Sequence, residues 1–249
     1  MQEQINFFWI GNTLTKLGQL AIKSFLDNDH NVVLWTYNLN CEGVPKGTVI
    51  EDAREILEEN KIFYYTGKGD CRKNSLGGFS DLFRYYLLDK VGGWYCDMDV
   101  VCLKNFSEIK TPYAFRPNNV TIVTANIIKT PANCELIKEC IRRTELEINE
   151  NNDSWIKPVV IFKESFLKDT TLTKYISPKQ YFGDDTLDDL KQMLDLNYYS
   201  KKFELPTYAI HWCNEVVSTG QWVQDLKRNW NAPIPTTLYY KLLKKHKLL

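Results

Sequence analysis

The feature that most restricts this chain is a helical pattern that stops on two glycines and passes at once into an apolar run carrying two aspartates. Phe79, Leu82, Phe83, Tyr86 and Leu87 recur at i, i+3, i+4, i+7 and i+8, the spacing of an amphipathic helix. Ser80 or a neighbour is placed to cap its start, and Gly92-Gly93 to end it. The next segment, Trp94 to Leu103, reads as a strand, and Asp97 and Asp99 fall inside it. Carboxylates in an apolar strand are costly unless paired or metal-bound. Side chains two apart in a strand share a face, so both carboxylates are expected to point the same way. Two hard oxygen ligands on one face suit Mg²⁺ or Mn²⁺.

The segments before this one alternate between strand and helix signals. Ile5 to Ile10 reads as a buried strand stopped by Gly11, and Leu14, Leu17, Ala21, Ile22 and Phe25 follow at helical spacing. Val32-Val33-Leu34-Trp35 reads as a second strand, Asp52 to Asn60 as a helix, and Ile62-Phe63-Tyr64-Tyr65 as a third strand. Such alternation implies parallel pairing in an α/β sheet, with ligands at the carboxyl ends of the strands. Later segments read as a strand over Thr121 to Ile128, a helix from Ala132 to about Asn149, and a last strand over Thr207 to Trp212. Residues 154–205 give mixed signals. The reading is a single domain over residues 1–235, followed by a basic amphipathic helix over 236–249.

Charge narrows the function classes. The 31 basic and 31 acidic residues balance, which disfavours a nucleic-acid binder. Seven cysteines without a C-x-x-C pair read as free thiols in a reducing compartment rather than a zinc site. The first residues lack the pattern of a signal peptide, and no apolar run approaches the ~20 residues of a membrane span, so a cytoplasmic location is expected. The tail alternates basic and apolar residues from Leu242 to Leu249. Two readings are open for it: docking on anionic lipid at the inner face of a membrane, or packing one face on the core.

Asp81 and Arg84 lie at i, i+3 on the glycine-terminated helix, either as a plain ion pair or as groups that hold a ligand. The run Phe79-Ser80-Asp81-Leu82-Phe83-Arg84, then Gly92-Gly93-Trp94-Tyr95-Cys96-Asp97-Met98-Asp99, resembles the S-D-x-x-R…G-G-x-Y-x-D-x-D signature. That signature marks the DXD-motif sugar-binding-region glycosyltransferases of family 32, a group that includes a yeast mannosyltransferase and bacterial capsule enzymes. The clostridial toxin glucosyltransferase domains are related. The resemblance implies a Rossmann-like GT-A fold, a nucleotide-sugar donor, a divalent metal (Mn²⁺ or Mg²⁺) and retention of anomeric configuration. It implies that Asp97 and Asp99 hold the metal and touch the donor's ribose and diphosphate. Asp81 and Arg84 would hold the transferred sugar. These four are the catalytic candidates.

Looser matches extend the site. Phe8-Trp9-Ile10-Gly11 resembles the family's first-strand segment, making Trp9 a base-stacking candidate or else a core tryptophan. His211-Trp212 and Trp222 resemble its late histidine and tryptophan segment. His211 is then either the third metal ligand or a structural histidine, and Trp222 is placed to close over the diphosphate. Asn126 is expected to line the sugar or acceptor side. The chain departs from the family at residues 158–165, where many members carry a Gly-Pro pair. Trp9 favours a small base, hence a UDP-hexose donor. A glycan or lipid-linked glycan is the expected acceptor, in bacterial O-antigen or capsule synthesis. The rival reading is a haloacid-dehalogenase-like phosphatase, with Asp97 as nucleophile and Gly183-Asp184-Asp185 as its late acidic motif.

Overall fold

A computed structural model describes residues 3–67, 73–118, 121–148, 154, 156–182, 207–213, 233, 235 and 237–249. The first strand, β1 (Gln4–Trp9), explains why the sheet is covered on both faces. Successive side chains of a strand point to opposite sides, and here both sides are apolar. Phe7 packs edge-on against Phe25 of helix α1 (Lys16–Leu26), with ring centroids 5.4 Å apart. Phe8, on the other face, stacks on Phe83 of helix α2 (Gly77–Val91) at 3.6 Å. Strand β2 (Asn31–Thr36) repeats the arrangement, sending Val32 and Leu34 to the α1 side and Val33 and Trp35 to the α2 side.

Strands β3 (Val49–Asp52), β4 (Gly93–Cys96), β6 (Ala114–Asn118) and β7 (Ile122–Thr130) complete a six-stranded sheet of order β3-β2-β1-β4-β7-β6. The first four are mutually parallel, and β7 and β6 add antiparallel. Helices α3 (Glu135–Glu147) and α4 (Lys157–Leu167) join α2 on one face. This is the expected α/β architecture, with a mainly parallel central sheet and flanking helices. A second, two-stranded sheet pairs β5 (Val100–Cys102) with β8 (Ala209–His211), antiparallel. A short helix, α5 (Lys179–Phe182), precedes β8, and α6 (Leu238–Lys245) ends the described chain.

Several expectations need correction. The strand expected over Trp94 to Leu103 is two strands in two different sheets, separated by a turn at Asp97–Asp99. The backbone N–H of Val100 donates to the carbonyl of Asp97 at 3.0 Å, closing that turn. Helix α2 starts at Gly77, so Ser80 lies within the helix; its N-cap residue, Leu76, has no capping side chain, and the Gly77 N–H donates instead to the Ser75 hydroxyl at 3.1 Å. Its end is as expected: Gly92 has φ +63, and a Cβ there would come within 2.5 Å of the Ala132 nitrogen. The helix expected over Asp52 to Asn60 is two short 3-10 turns. Of its side chains only Ala53 is fully buried, too little apolar stripe to offset the cost of helix nucleation. Ile62 to Tyr65 forms no strand; the edge position belongs to Val49–Asp52 instead.

The tail resolves toward packing. Leu238, Tyr239, Leu242 and Leu243 of α6 are buried with Leu17 and Leu20 of α1, Val101 of β5, and Ile210 and Trp212 at β8. Lys241, Lys244, Lys245 and Lys247 remain exposed. Among the described residues no helix is long and apolar enough to cross a membrane.

Candidate active site

The site lies where β4 ends, at the carboxyl edge of the parallel strands, as expected for this architecture. The backbone N–H of Asp97 donates to the carbonyl of Asn126 on β7 at 2.9 Å, which fixes the start of the aspartate turn. Its exit is fixed from the other sheet: the N–H of Trp212 donates to the carbonyl of Asp99 at 3.0 Å, and Val100 pairs with His211. The two carboxylates therefore do not share a strand face. They are nevertheless brought together by the turn, and the β5–β8 pairing adds the imidazole. One ligand atom each from Asp97, Asp99 and His211 lie within 4.8 Å of one another. His211 Nε2 is 3.3 Å from Asp99 Oδ1, and both side chains are mostly shielded from solvent.

On the other side of Asp97 stands Arg84. Its Nη2 donates to Asp97 Oδ1 at 2.6 Å, and its Nη1 lies 2.9 Å from Asp81 Oδ1. The guanidinium sits 4.9 Å over the Tyr95 ring, a cation–π contact. Asp81 and Arg84 are thus more than a surface pair, since Arg84 is buried and bridges Asp81 to the aspartate turn. Burial raises the carboxyl of Asp81, partly opposed by Arg84. Burial also raises Asp97, helped by the charge of Asp99 and opposed by Arg84. Burial opposes the charge of Arg84, yet Asp97 and Asp81 hold it above its ordinary range.

This balance fits a divalent cation. Asp81, Asp97 and Asp99 bring three carboxylates against a single guanidinium, so the ionised cluster is short of two positive charges. Two carboxylates plus an imidazole form a donor set suited to Mn²⁺, and the carboxylates alone to Mg²⁺.

Trp9 closes β1 at the same edge of the sheet and is half-buried. Gly11 lets the indole lie close to the backbone, because a Cβ there would approach its Nε1 to 3.0 Å. Asn126 is buried, with its Nδ2 placed 3.1 Å from His211 Nδ1 and its Oδ1 accepting from Thr124 Oγ1 at 2.8 Å. Trp222 and the Gly183-Asp184-Asp185 segment lie outside the described residues. Sequence reasoning missed three neighbours of the site: Tyr95 under Arg84, Thr124 behind Asn126, and Cys213, whose Sγ is 3.1 Å from His211 Nδ1. Tyr95 stood within the signature itself. Thr124, two residues before Asn126 on β7, was legible as sharing its face. Cys213 left no signal before β8 was paired.

Residues 18–116 match the family described as "Glycosyltransferase sugar-binding region containing DXD motif". The match spans less than half of the chain. The matched stretch holds Asp81, Arg84, Asp97 and Asp99, whereas His211 is supplied from beyond it. Among solved structures, the chain is similar to "PaToxG Glycosyltransferase", at 16% identity over 97% of this chain and 87% of the other, with a TM-score of 0.47. It is also similar to the apo-form glycosyltransferase GlyE of Streptococcus pneumoniae TIGR4, at 12% identity and a TM-score of 0.45. That match covers 98% of this chain and 64% of GlyE, less than two thirds of its length. Likeness at this level carries over neither substrate nor residue roles. No curated protein matches the chain. The DXD-region match and the ion pair that occupies Asp97 Oδ1 both weigh against the phosphatase alternative, which needs Asp97 as a free nucleophile.

Proposed function

We propose that this protein transfers a sugar from a nucleotide-sugar donor to an acceptor hydroxyl with retention of anomeric configuration. The observation that carries the reading is the convergence of Asp97, Asp99 and His211 beside the Arg84–Asp81 pair, all but His211 lying in the stretch that matches the DXD-motif family. Asp97, Asp99 and His211 would hold Mn²⁺ or Mg²⁺, which supplies neutralisation of the charge that develops on a leaving diphosphate. Trp9, at the carboxyl edge of β1, offers its indole face to a base, and its size suits uracil, hence a UDP-hexose.

The chain's own groups divide the remaining work. Asp81, half-buried and paired on one oxygen, keeps acceptor capacity for sugar hydroxyls. Arg84 fixes Asp81 relative to Asp97, so the sugar and the diphosphate are positioned by one rigid cluster. Among the described residues no carboxylate stands out as a nucleophile for a covalent intermediate. Same-face attack therefore fits better, with the leaving phosphate oxygen taking the acceptor's proton and the protein supplying position and fixed charge. The acceptor is a glycan or a lipid-linked glycan in bacterial surface-polysaccharide synthesis. Because the apolar face of α6 is already buried, contact with anionic lipid would run through its exposed lysines and be screened by salt.

The test is a donor screen. Purified protein is incubated with Mn²⁺ and UDP-, GDP- and other activated sugars, and nucleotide release is followed with and without EDTA. Release from one donor, lost with chelator and in Asp99→Ala, is the expected result. Turnover of phosphate monoesters with no activated sugar bound or cleaved would overturn the reading in favour of the phosphatase.

A further inference from the structure

His211 raises a question of hydrogen placement that the metal reading leaves open. A neutral imidazole binds a metal through the lone pair of one nitrogen while the other carries the proton. Nε2 is the nitrogen that faces Asp99, at 3.3 Å. Nδ1 faces the Asn126 amide at 3.1 Å and the Cys213 thiol at 3.1 Å. As placed, the amide NH₂ of Asn126 donates to Nδ1, which leaves the imidazole proton on Nε2, where a metal would have to sit. The other half of the amide is held too, because Asn126 Oδ1 accepts from the hydroxyl of Thr124 at 2.8 Å.

Both contacts survive a half-turn of the amide. With Oδ1 toward His211 and Nδ2 toward Thr124, Asn126 accepts from Nδ1–H and donates to the Thr124 oxygen, since a hydroxyl can do either. The imidazole proton then resides on Nδ1, and the Nε2 lone pair is released toward Asp97 and Asp99. No proton is gained or lost; only its position on the ring changes. We propose that Asn126, anchored by Thr124, is a positioning residue that sets the tautomer of His211, holding Nε2–H in the metal-free protein and Nδ1–H in the metal-bound one. The assignment rests on the reading of Asp97, Asp99 and His211 as the metal site. It gives Asn126 a role behind the metal ligand rather than on the sugar. Groups that orient a ligating histidine typically alter metal affinity by about 10- to 100-fold when removed.

The experiment uses the full chain and two readouts. Mn²⁺ affinity is measured by calorimetry for the wild type and for Asn126→Leu, Thr124→Val, Cys213→Ala and Asp99→Ala. The tautomer of His211 is read from imidazole ¹⁵N shifts without metal and with saturating diamagnetic Mg²⁺. Thermal melts confirm folding, and Thr124→Val, nearly isosteric and away from the ligands, covers the case in which Asn126→Leu fails to fold. Expected are a switch from Nε2–H to Nδ1–H on loading in the wild type, about 10- to 100-fold weaker Mn²⁺ binding in Asn126→Leu, and a smaller loss of the same kind in Thr124→Val. Cys213→Ala is expected to bind as the wild type does. Unchanged affinity in both Asn126→Leu and Thr124→Val, the same tautomer in both states, or a loss confined to Cys213→Ala would overturn the proposal. If the wild type binds no divalent metal, or binds it equally well in Asp99→Ala, the functional reading itself fails, a result distinct from any of these.

Discussion

The two sides of the aspartate turn are built in different ways. The Asp97 side comes from one contiguous stretch: Asp81 and Arg84 on α2, the glycine stop, and Tyr95 on β4. Its scaffold is the buried middle of the large sheet, where Phe8 stacks on Phe83. The Asp99 side is assembled from afar. His211 arrives on β8, Asn126 on β7, and the small β5–β8 sheet rests on α6 and α1. A short helix followed by a strand can specify the first side locally, whereas the second exists only once distant parts of the chain have packed. The sugar-side pair is thus expected to tolerate damage to the C-terminal region that the metal side does not.

The largest effect should come from removing the carboxylate that joins the two sides. Asp99→Ala is expected to lower nucleotide-sugar turnover on the order of 10³-fold, about 4 kcal/mol of lost charge stabilisation. A drop of less than tenfold would place the metal elsewhere. Next comes the support beneath β8. Leu243 is fully buried in the cluster shared with Trp212 and α1. Leu243→Ala should destabilise the fold by about 3–4 kcal/mol through the cavity it leaves, measured by denaturant unfolding. In the folded protein it should also weaken Mn²⁺ binding. Mn²⁺ affinity equal to wild type would show that the Asp99 side does not depend on α6.

The matching lesion on the Asp97 side is Gly92→Ala. Its left-handed backbone and the close approach to Ala132 predict about 2–3 kcal/mol of destabilisation. Gly93, whose φ is +81 with nothing within 4 Å of a Cβ, should lose only the backbone part, about 1–2 kcal/mol. Equal losses at the two glycines would mean that the contact with Ala132 is not what requires glycine.

The smallest effects are pH-dependent. His30 Nδ1 donates to the Glu3 carbonyl at 3.2 Å and Nε2 accepts from the Phe106 N–H at 3.0 Å, so the ring is held neutral. Burial lowers its pKa, with Glu3 opposing. His246 on the α6 side is likewise lowered by burial, against the pull of its hydrogen bond to Asp27 at 2.8 Å. A folded pKa below the unfolded value of about 6.5 favours the neutral ring in the fold. This stability is complete above about pH 6.5 and is lost as pH falls from there toward the folded values, at about 1.4 kcal/mol per unit of lowering. His246→Gln should flatten the lower arm of the melting-temperature profile without changing it above pH 7. An unaltered slope would remove α6 as a source of acid sensitivity.

Local order was legible in the sequence and distant order was not. The alternating strands and helices, the glycine stop and the paired aspartates could all be read from short-range pattern, because each depends on neighbours a few residues away. The same reasoning misread Asp97-Met98-Asp99 as one face of a strand. Nothing local shows that the chain leaves one sheet at Cys96 and joins another at Val100. It read a helix over Asp52 to Asn60 from residues that favour helices, where too little apolar surface is buried to hold one. Asn126 and His211 were each singled out, but their contact became visible only through the register of β8. Thr124 and Cys213 acquire meaning only from that same contact.

The most direct test of the account is a Mn²⁺ titration in the presence of UDP, comparing wild type, His211→Ala and Arg84→Lys by calorimetry. Long-range assembly of the metal site predicts that His211→Ala binds Mn²⁺ at least about tenfold more weakly. Arg84→Lys keeps its positive charge and should retain most of the Mn²⁺ affinity, while its donor KM rises through the loss of the two-pronged hold on Asp81 and Asp97. If His211→Ala instead binds Mn²⁺ as tightly as the wild type, the metal belongs to the local half alone, and β8 has no part in the site.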